Sequence, residues 1–211
     1  MLYKNSLTAH QYTPSVPDNL VYVQNERQWL LVNKGSDRLA FLHVYIACQN
    51  TKNNSFLQWN EDLFFLIKEE SIKLKLQGFT ILGMGDFNSR VGAIKGLEGN
   101  TPDHNQNTPM FLAFLNEVNL LIINTLPVAK GLFTRFLDSS GRPGTRSLLD
   151  YGVIDYEKSN TVTTFVIDDS ARVDCGSDHA LLECTVEFGA QPKISWTFHE
   201  PIHYNIHARS N

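Results

Sequence analysis

The chain has 211 residues, a formal net charge of −4, and 42% hydrophobic and 19% charged residues. That balance fits one domain with a sizeable core, argues against a disordered protein, and leaves nucleic-acid binding to a local basic groove rather than a basic surface. Three cysteines, Cys48, Cys175 and Cys184, with no C-x-x-C pair speak against a disulfide framework or a zinc ribbon, and no apolar run reaches membrane-spanning length, so the expectation is an intracellular protein, nuclear or cytoplasmic.

Residues 1–18 carry no periodicity and read as loop, with Pro14 and Pro17 in place of a signal-peptide core. Residues 20–23 and 29–32 are rich in β-formers and predict two short strands, joined by a polar hairpin turn that contains Glu26. Lys34-Gly35-Ser36-Asp37 is the next turn. A strand over 39–46 puts Ala40, Leu42, Val44 and Ile46 on one face and Phe41, His43 and Tyr45 on the other. Taken alone, Tyr45 near its end reads as packing.

Asn54 or Ser55 caps a helix predicted over 56–77, with Phe56, Trp59, Leu63, Phe64 and Ile67 along one side and Gly78 as its stop. The apolar run 79–84 predicts a buried strand that ends in Gly85-Asp86-Phe87-Asn88. Residues two apart in extended chain point the same way, so Asp86 and Asn88 either converge on one ligand or close an Asx turn. Residues 92–107 form a polar loop, after which Thr108 as N-cap and Pro109 at the first helical position start a helix whose apolar face is Met110, Phe111, Phe114, Leu115 and Val118. Asn119 ends that helix, and 120–123 is another strand.

Residues 133–136 and 145–154 predict paired strands across a turn-rich segment, and Asp150 interrupts the second. A buried carboxylate there needs a partner, such as a histidine on a neighbouring strand, and Arg146 offers a phosphate contact. Residues 162–167 and 180–188 supply two further strands, and 191–211 read as a tail. Just before the last strand, Cys175-Gly176-Ser177-Asp178-His179 is either an ordinary loop or a general base beside a metal-seeking carboxylate. His199-Glu200-Pro201-Ile202-His203 matches the zinc motif H-E-x-x-H in letters only, because Pro201 breaks the helical turn that the two histidines require.

Tyr45, Gly85-Asp86-Phe87-Asn88, Arg146-Ser147-Leu148-Leu149-Asp150-Tyr151 and Gly176-Ser177-Asp178-His179, in that order, resemble the endonuclease/exonuclease/phosphatase superfamily, the fold of the abasic-site endonucleases and deoxyribonuclease I. Through the Thr-Pro-led helix and the Asn124-Thr125 pair the chain is most similar to the endonuclease domain of non-LTR retrotransposons. The resemblance implies an α/β fold: a four-layer sandwich of two mixed sheets packed face to face with helices outside. The partial domain would be residues 20–190, set between an N-terminal loop (1–19) and a C-terminal tail or linker (191–211).

It further implies hydrolysis of DNA phosphodiesters with Mg²⁺ or Mn²⁺. Asp86 would activate the attacking water and Asn88 would hold Asp86 or a phosphate oxygen. His179 would contact the phosphate or move a proton, with Asp150 fixing its tautomer. Tyr45 would bond the scissile phosphate and Asp178 would approach the metal. Arg90, Lys95, Arg135, Arg142 and Arg146 are either scattered surface cations or the lining of a phosphate groove, in which Arg90, Arg146 and Ser147 would bind the substrate. A reverse transcriptase domain is the implied partner, on the strength of Pro192-Lys193-Ile194-Ser195-Trp196. The family's opening asparagine and metal-binding glutamate have no counterpart before residue 20, and Cys48 stands where many members carry asparagine. The expectation is therefore a fragment without its N-terminal strands and with little activity of its own. A phosphatase acting on phosphoinositides or nucleotides, and a non-catalytic nucleic-acid-binding remnant, are the alternatives.

Overall fold

In a computed structural model, which describes residues 7–48, 55–92, 105–137, 143–169 and 177–187, the apolar runs become the strands of two mixed sheets. Strand β2 (Arg27–Lys34) turns through Gly35, at φ +61°, into β3 (Asp37–Tyr45), and the two pair antiparallel. The alternation over 39–46 holds: Ala40, Leu42, Val44 and Ile46 are buried, and His43 and Tyr45 are exposed. Helix α1 (Ser55–Leu76) then crosses over and brings β4 (Thr80–Asp86) in parallel beside β3, as a right-sized connection between parallel strands must. Gly78, at φ +84°, ends the helix in a conformation glycine adopts freely.

Helix α2 (Asn107–Val118) stops at Asn119, in the left-handed region at φ 59°, and leads into β5 (Leu120–Ile122). Short β6 (Ala129–Lys130), the ribbon strands β7 (Arg135–Leu137) and β8 (Pro143–Ser147), then β9 (Asp150–Asp155), β10 (Val162–Ile167) and β11 (Leu182–Val186) complete the described chain. With an edge strand β1 (Leu7–Tyr12), the larger sheet runs β1-β2-β3-β4-β9-β5, and the smaller runs β11-β10-β6. Each contains parallel and antiparallel pairs.

Successive residues of β9 show how the layers stack, because they point to opposite faces. Tyr151 meets the ring of Phe111 from α2 at 5.1 Å, and Phe111 in turn meets Phe64 of α1 at 6.5 Å, so the helices cover that side. Gly152 faces the other side, where a Cβ would come within 2.7 Å of the Phe165 ring of β10. The second sheet therefore approaches β9 so closely that only glycine fits. Among the described residues no helix is long and apolar enough to cross a membrane.

Four sequence-based expectations are corrected. Residues 7–12, read as loop, form β1 and pair with β2 from Leu7↔Lys34 to Tyr12↔Trp29. Residues 20–23, read as a strand, lie in a 3-10 helix (Asp18–Glu26); Leu20 and Val23, three apart, are its buried positions, and Glu26 is its last residue rather than part of a hairpin turn. Residues 145–154 are two strands, because the Thr134 hydroxyl accepts the Leu149 and Asp150 amides at 2.9 and 3.1 Å and so takes the bonds a continuous ladder would use. The cap of α2 is also displaced. Asn105 Oδ1 receives the Thr108 N–H at 3.2 Å, and the Thr108 hydroxyl donates to the Arg90 carbonyl at 2.9 Å.

Glu70 of α1 is buried with its charge. It accepts hydrogen bonds from Arg27 Nε at 3.0 Å, from Arg27 Nη2, and from the Trp29 indole at 2.7 Å. The contact fixes α1 against β2, and both charged side chains are almost fully enclosed. Removing one partner strands the other charge, so Glu70→Ala is expected to lower unfolding stability by about 3–5 kcal/mol in chemical denaturation.

Candidate active site

Three strand ends form one row. The parallel register of β3 and β4 sets Tyr45 beside Asp86, and the antiparallel register of β4 and β9 sets Asp86 beside Asp150. Directly opposed residues share a face, so a phenol and two carboxylates stand side by side at the end of the larger sheet. Backbone bonds close the row: Ile46 N–H donates to the Asp86 carbonyl at 2.7 Å, and Phe87 N–H to the Leu149 carbonyl at 3.1 Å. Gly85 lets β4 run this close to β3, since a Cβ there would lie 1.9 Å from the Val44 carbonyl oxygen. Phe87 points away from the row and is fully buried, stacked on Phe111 at 4.4 Å.

Asn88 grips Asp86 from below the row. Its backbone N–H donates to Asp86 Oδ1 at 2.8 Å, and its amide donates to Asp86 Oδ2 at 2.9 Å and to the Ile46 carbonyl at 2.8 Å. The backbone reaches this geometry at φ 44°, which asparagine tolerates better than most residues. The Asx turn is therefore formed, and the Asn88 side chain lies on Asp86 itself.

His179 arrives from the segment before β11. Its Nδ1 lies 2.9 Å from Asp150 Oδ2, and its Nε2 lies 4.0 Å from Asp86 Oδ2. The Ser177 hydroxyl accepts the His179 N–H at 3.0 Å, and Ala180 N–H donates to the Thr134 carbonyl at 2.8 Å. Thr134 therefore serves both sides, holding the amides of Asp150 and Leu149 with its hydroxyl and the His179 segment with its carbonyl. Asn124 braces β9 from the opposite edge, accepting Gly152 N–H at 2.9 Å.

The electrostatics follow from crowding. Burial, and then the neighbouring Asp150 carboxylate, push Asp86 up to about 7, against the opposing pull of the Asn88 amide, His179 and Arg135. The folded chain thus keeps a proton on Asp86 that the unfolded chain releases near its ordinary 3.8, and without a counter-ion stability falls as pH rises between those values. The hydrogen bond to Asp150 raises His179 despite the burial that opposes it. Burial, and then Asp86, raise Tyr45, which keeps its proton.

Asp86, Asp150 and His179 offer ligand atoms within 4.8 Å of one another and could hold a metal ion. The donor set fits one, because two hard carboxylates repelling each other out of water are what a divalent cation neutralises. Asp178 is turned elsewhere: its Oδ2 pairs with Arg135 Nε at 3.1 Å. Arg146 is exposed and stands over the Phe133 ring at 5.6 Å, the Ser147 carbonyl accepts Thr134 N–H at 2.9 Å, and the Arg90 backbone is bonded to Thr108. Lys95, Arg142, Cys175 and the 199–203 motif lie outside the described residues. A cavity of about 400 Å³ opens from Asp86 and His179 along β3 and β4, walled by Phe41, His43, Met84 and Leu182.

No protein-family model matches the sequence, and no curated protein matches it. Solved structures do. The chain is similar to the endonuclease domain of TRAS1, a telomere-specific non-LTR retrotransposon, at 15% identity and a TM-score of 0.60 over 90% of this chain and 73% of that one. It is similar to the 3′ phosphatase NExo from Neisseria, solved with a product DNA hairpin, at 15% identity and a TM-score of 0.60 over 85% of this chain and 70% of that one. It is also similar to the AP endonuclease LMAP from Leishmania major, at 16% identity and a TM-score of 0.63 over 85% of this chain and 61% of that one.

The His179–Asp150 bond has a direct readout. In metal-free protein the His179 ring is expected to titrate above the ordinary histidine value, so its contribution to stability is complete below 6.5 and is lost as pH rises through the raised value. Imidazole resonances followed by NMR should show Asp150→Asn bringing the titration down; an unmoved titration would mean that another group holds the proton.

Proposed function

From the DNase I-like endonuclease/exonuclease/phosphatase fold that the chain has, we propose that it is a hydrolase that cleaves DNA phosphodiesters with a divalent metal ion, an endonuclease of the retrotransposon type. The observation that carries this reading is the row of Tyr45, Asp86 and Asp150, with Asn88 bonded to Asp86 and His179 bonded to Asp150. A scissile phosphate in front of that row would meet a phenol, an imidazole and a carboxylate, each with a distinct task.

Asp86, held in place by Asn88, accepts a proton from the attacking water. Tyr45 donates its O–H to a non-bridging phosphate oxygen. His179, kept in one orientation by Asp150, turns Nε2 toward the phosphate and supplies a proton to the leaving oxygen as the bond to phosphorus breaks. Mg²⁺ or Mn²⁺, held by Asp86 and Asp150, would screen the carboxylates from the phosphate and stabilise charge on it. Asp178 would join that ion only on giving up Arg135, whose charge also acts on Asp86 and Tyr45. Arg90, Arg146 and Ser147 belong to the same proposal as contacts to the flanking backbone, as does a reverse transcriptase domain as partner.

A phosphomonoesterase is the second reading, favoured by the cavity beside Asp86, which has room for a small alcohol moiety, and by the likeness to the 3′ phosphatase. Plasmid nicking with Mg²⁺ separates the two. Asp86→Asn and His179→Ala are each expected to lower the nicking rate roughly 10²–10⁴-fold, the range for a general acid or base. Nicking that survives Asp86→Asn would sink the assignment, and turnover of a nucleotide monoester without nicking would select the phosphatase. Thermal unfolding supplies a separate check on the ion. Added Mg²⁺ should raise the midpoint more at pH 8 than at pH 5, where Asp86 retains its proton, and Asp86→Asn should remove that increment.

A further inference from the structure

Behind the row lies a set of asparagines that none of the roles above uses. Asn60 of α1 and Asn107 of α2 are both fully buried, although asparagine is rarely enclosed without a task for each polar atom. The two amides are bonded to each other, Asn60 Nδ2 to Asn107 Oδ1 at 2.9 Å. Both also reach one residue, Ala47: Asn60 takes its N–H at 3.2 Å, and Asn60 and Asn107 donate to its carbonyl at 2.9 and 3.2 Å. Asn107 Nδ2 then donates to the Asn88 carbonyl at 3.1 Å, and Asn105 Nδ2 donates to the same oxygen at 2.5 Å.

The positions at the ends of this network give it a meaning. Ala47 stands two residues past Tyr45, and Asn88 two residues past Asp86. Among the described residues the backbone bonds between the two strands end at Ile46 N–H and the Asp86 carbonyl, so the chains leave the ladder where the site begins. Beyond that point the separation of the Tyr45 strand from the Asp86 strand is set by side chains: the Asn88 amide reaches the Ile46 carbonyl directly, and Asn60 and Asn107 join the next residues, Ala47 and Asn88, from behind. Every amide atom of both is engaged, which makes a satisfied and therefore rigid link in a dry interior.

We infer that Asn60 and Asn107 are positioning residues, which hold the ends of β3 and β4 at the spacing that places Tyr45 and the Asn88-bound Asp86 on the same phosphate. The inference rests on the hydrolase reading given above. It assigns to two helix residues, neither of which touches substrate, control over the geometry of the reacting groups. Their side chains bear on kcat rather than on binding, because substrate affinity comes mainly from contacts elsewhere along the nucleic-acid backbone.

The test compares Asn60→Leu and Asn107→Leu, which keep the branched outline and remove the bonds, with Leu74→Ala, a core truncation at the far end of α1 that costs stability without approaching the site. On a duplex oligonucleotide with Mg²⁺, the two asparagine variants are expected to lose kcat by about a hundredfold with KM little changed, the scale of a misplacement near 1 Å, while Leu74→Ala keeps its kcat. In the protein alone, amide hydrogen exchange at Asn88 should quicken in the asparagine variants and not in Leu74→Ala. Asn60→Ser and Asn107→Ser carry the same comparison if the leucine variants do not fold. Retained kcat, a loss confined to KM, or an Asn88 amide as protected as in the parent chain would each overturn the inference. Should the parent chain cleave no phosphodiester, the hydrolase reading fails, and the exchange measurement alone then decides whether the asparagines hold the strand end.

Discussion

Two carboxylates held side by side on neighbouring strands, largely out of water, are the constraint around which this molecule is arranged. Like charges directly opposite in a sheet repel, and burial adds to the cost of ionising Asp86. Each polar group around the pair relieves part of that cost. Asn88 brings an N–H to one oxygen of Asp86 and an amide to the other, His179 faces Asp150, and Arg135 adds a positive charge to the field at Asp86. What the protein leaves uncompensated is affinity for something positive or rich in donors. The repulsion that costs the fold stability is what a bound cation would relieve.

The scaffold keeps the repulsion from pushing the strands apart. On the back of the row, the rings of Phe87, Phe111 and Tyr151 stack against one another in the layer beneath the helices, and the Tyr151 hydroxyl bonds the carbonyls of Ser89 and Leu148. On the front, the Phe165 ring is seated on Gly152. A strand end clamped between an aromatic layer and a second sheet cannot rotate its carboxylate away, so the electrostatic cost is borne by packing.

Much of this was legible in the sequence wherever a local period decides the structure. The alternation over 39–46 placed Tyr45 on the open face, the three-and-four spacing of Leu63, Phe64 and Ile67 located α1, and Asn119 marked the left-handed stop of α2. Other features had no local signal. Strand β1 is exposed almost throughout, so pairing with β2 leaves no alternation to read. In the run Leu20-Val21-Tyr22-Val23 the residues suit a strand or a tight helical turn equally, and burial of the two residues three apart settles it only in the folded chain. The ion pair of Asp178 with Arg135 joins residues far apart in sequence, and no pattern near either announces it. Asn60 was readable in principle, since it lies on the apolar stripe with Leu63, Phe64 and Ile67, where a polar residue needs a partner. Asn107 was hidden by a stretch whose letters look like a solvated loop.

Thr134 has a consequence beyond the two amides that it receives. By ending the ladder at Leu149 it uncouples β8 from β9, so that Asp150 is fixed by the body of the protein while the β7–β8 ribbon is held at its base, through the Thr134 amide, the Ser147 carbonyl, and Arg135, which pairs with Asp178 and bridges to His179. Such a joint makes the ribbon an exchangeable part. Past Arg135 its residues can change without moving Asp150, whereas Arg135 itself ties the ribbon to the His179 segment. Divergence past Arg135 can then accumulate while Asp150 and the Thr134 that holds it stay as they are.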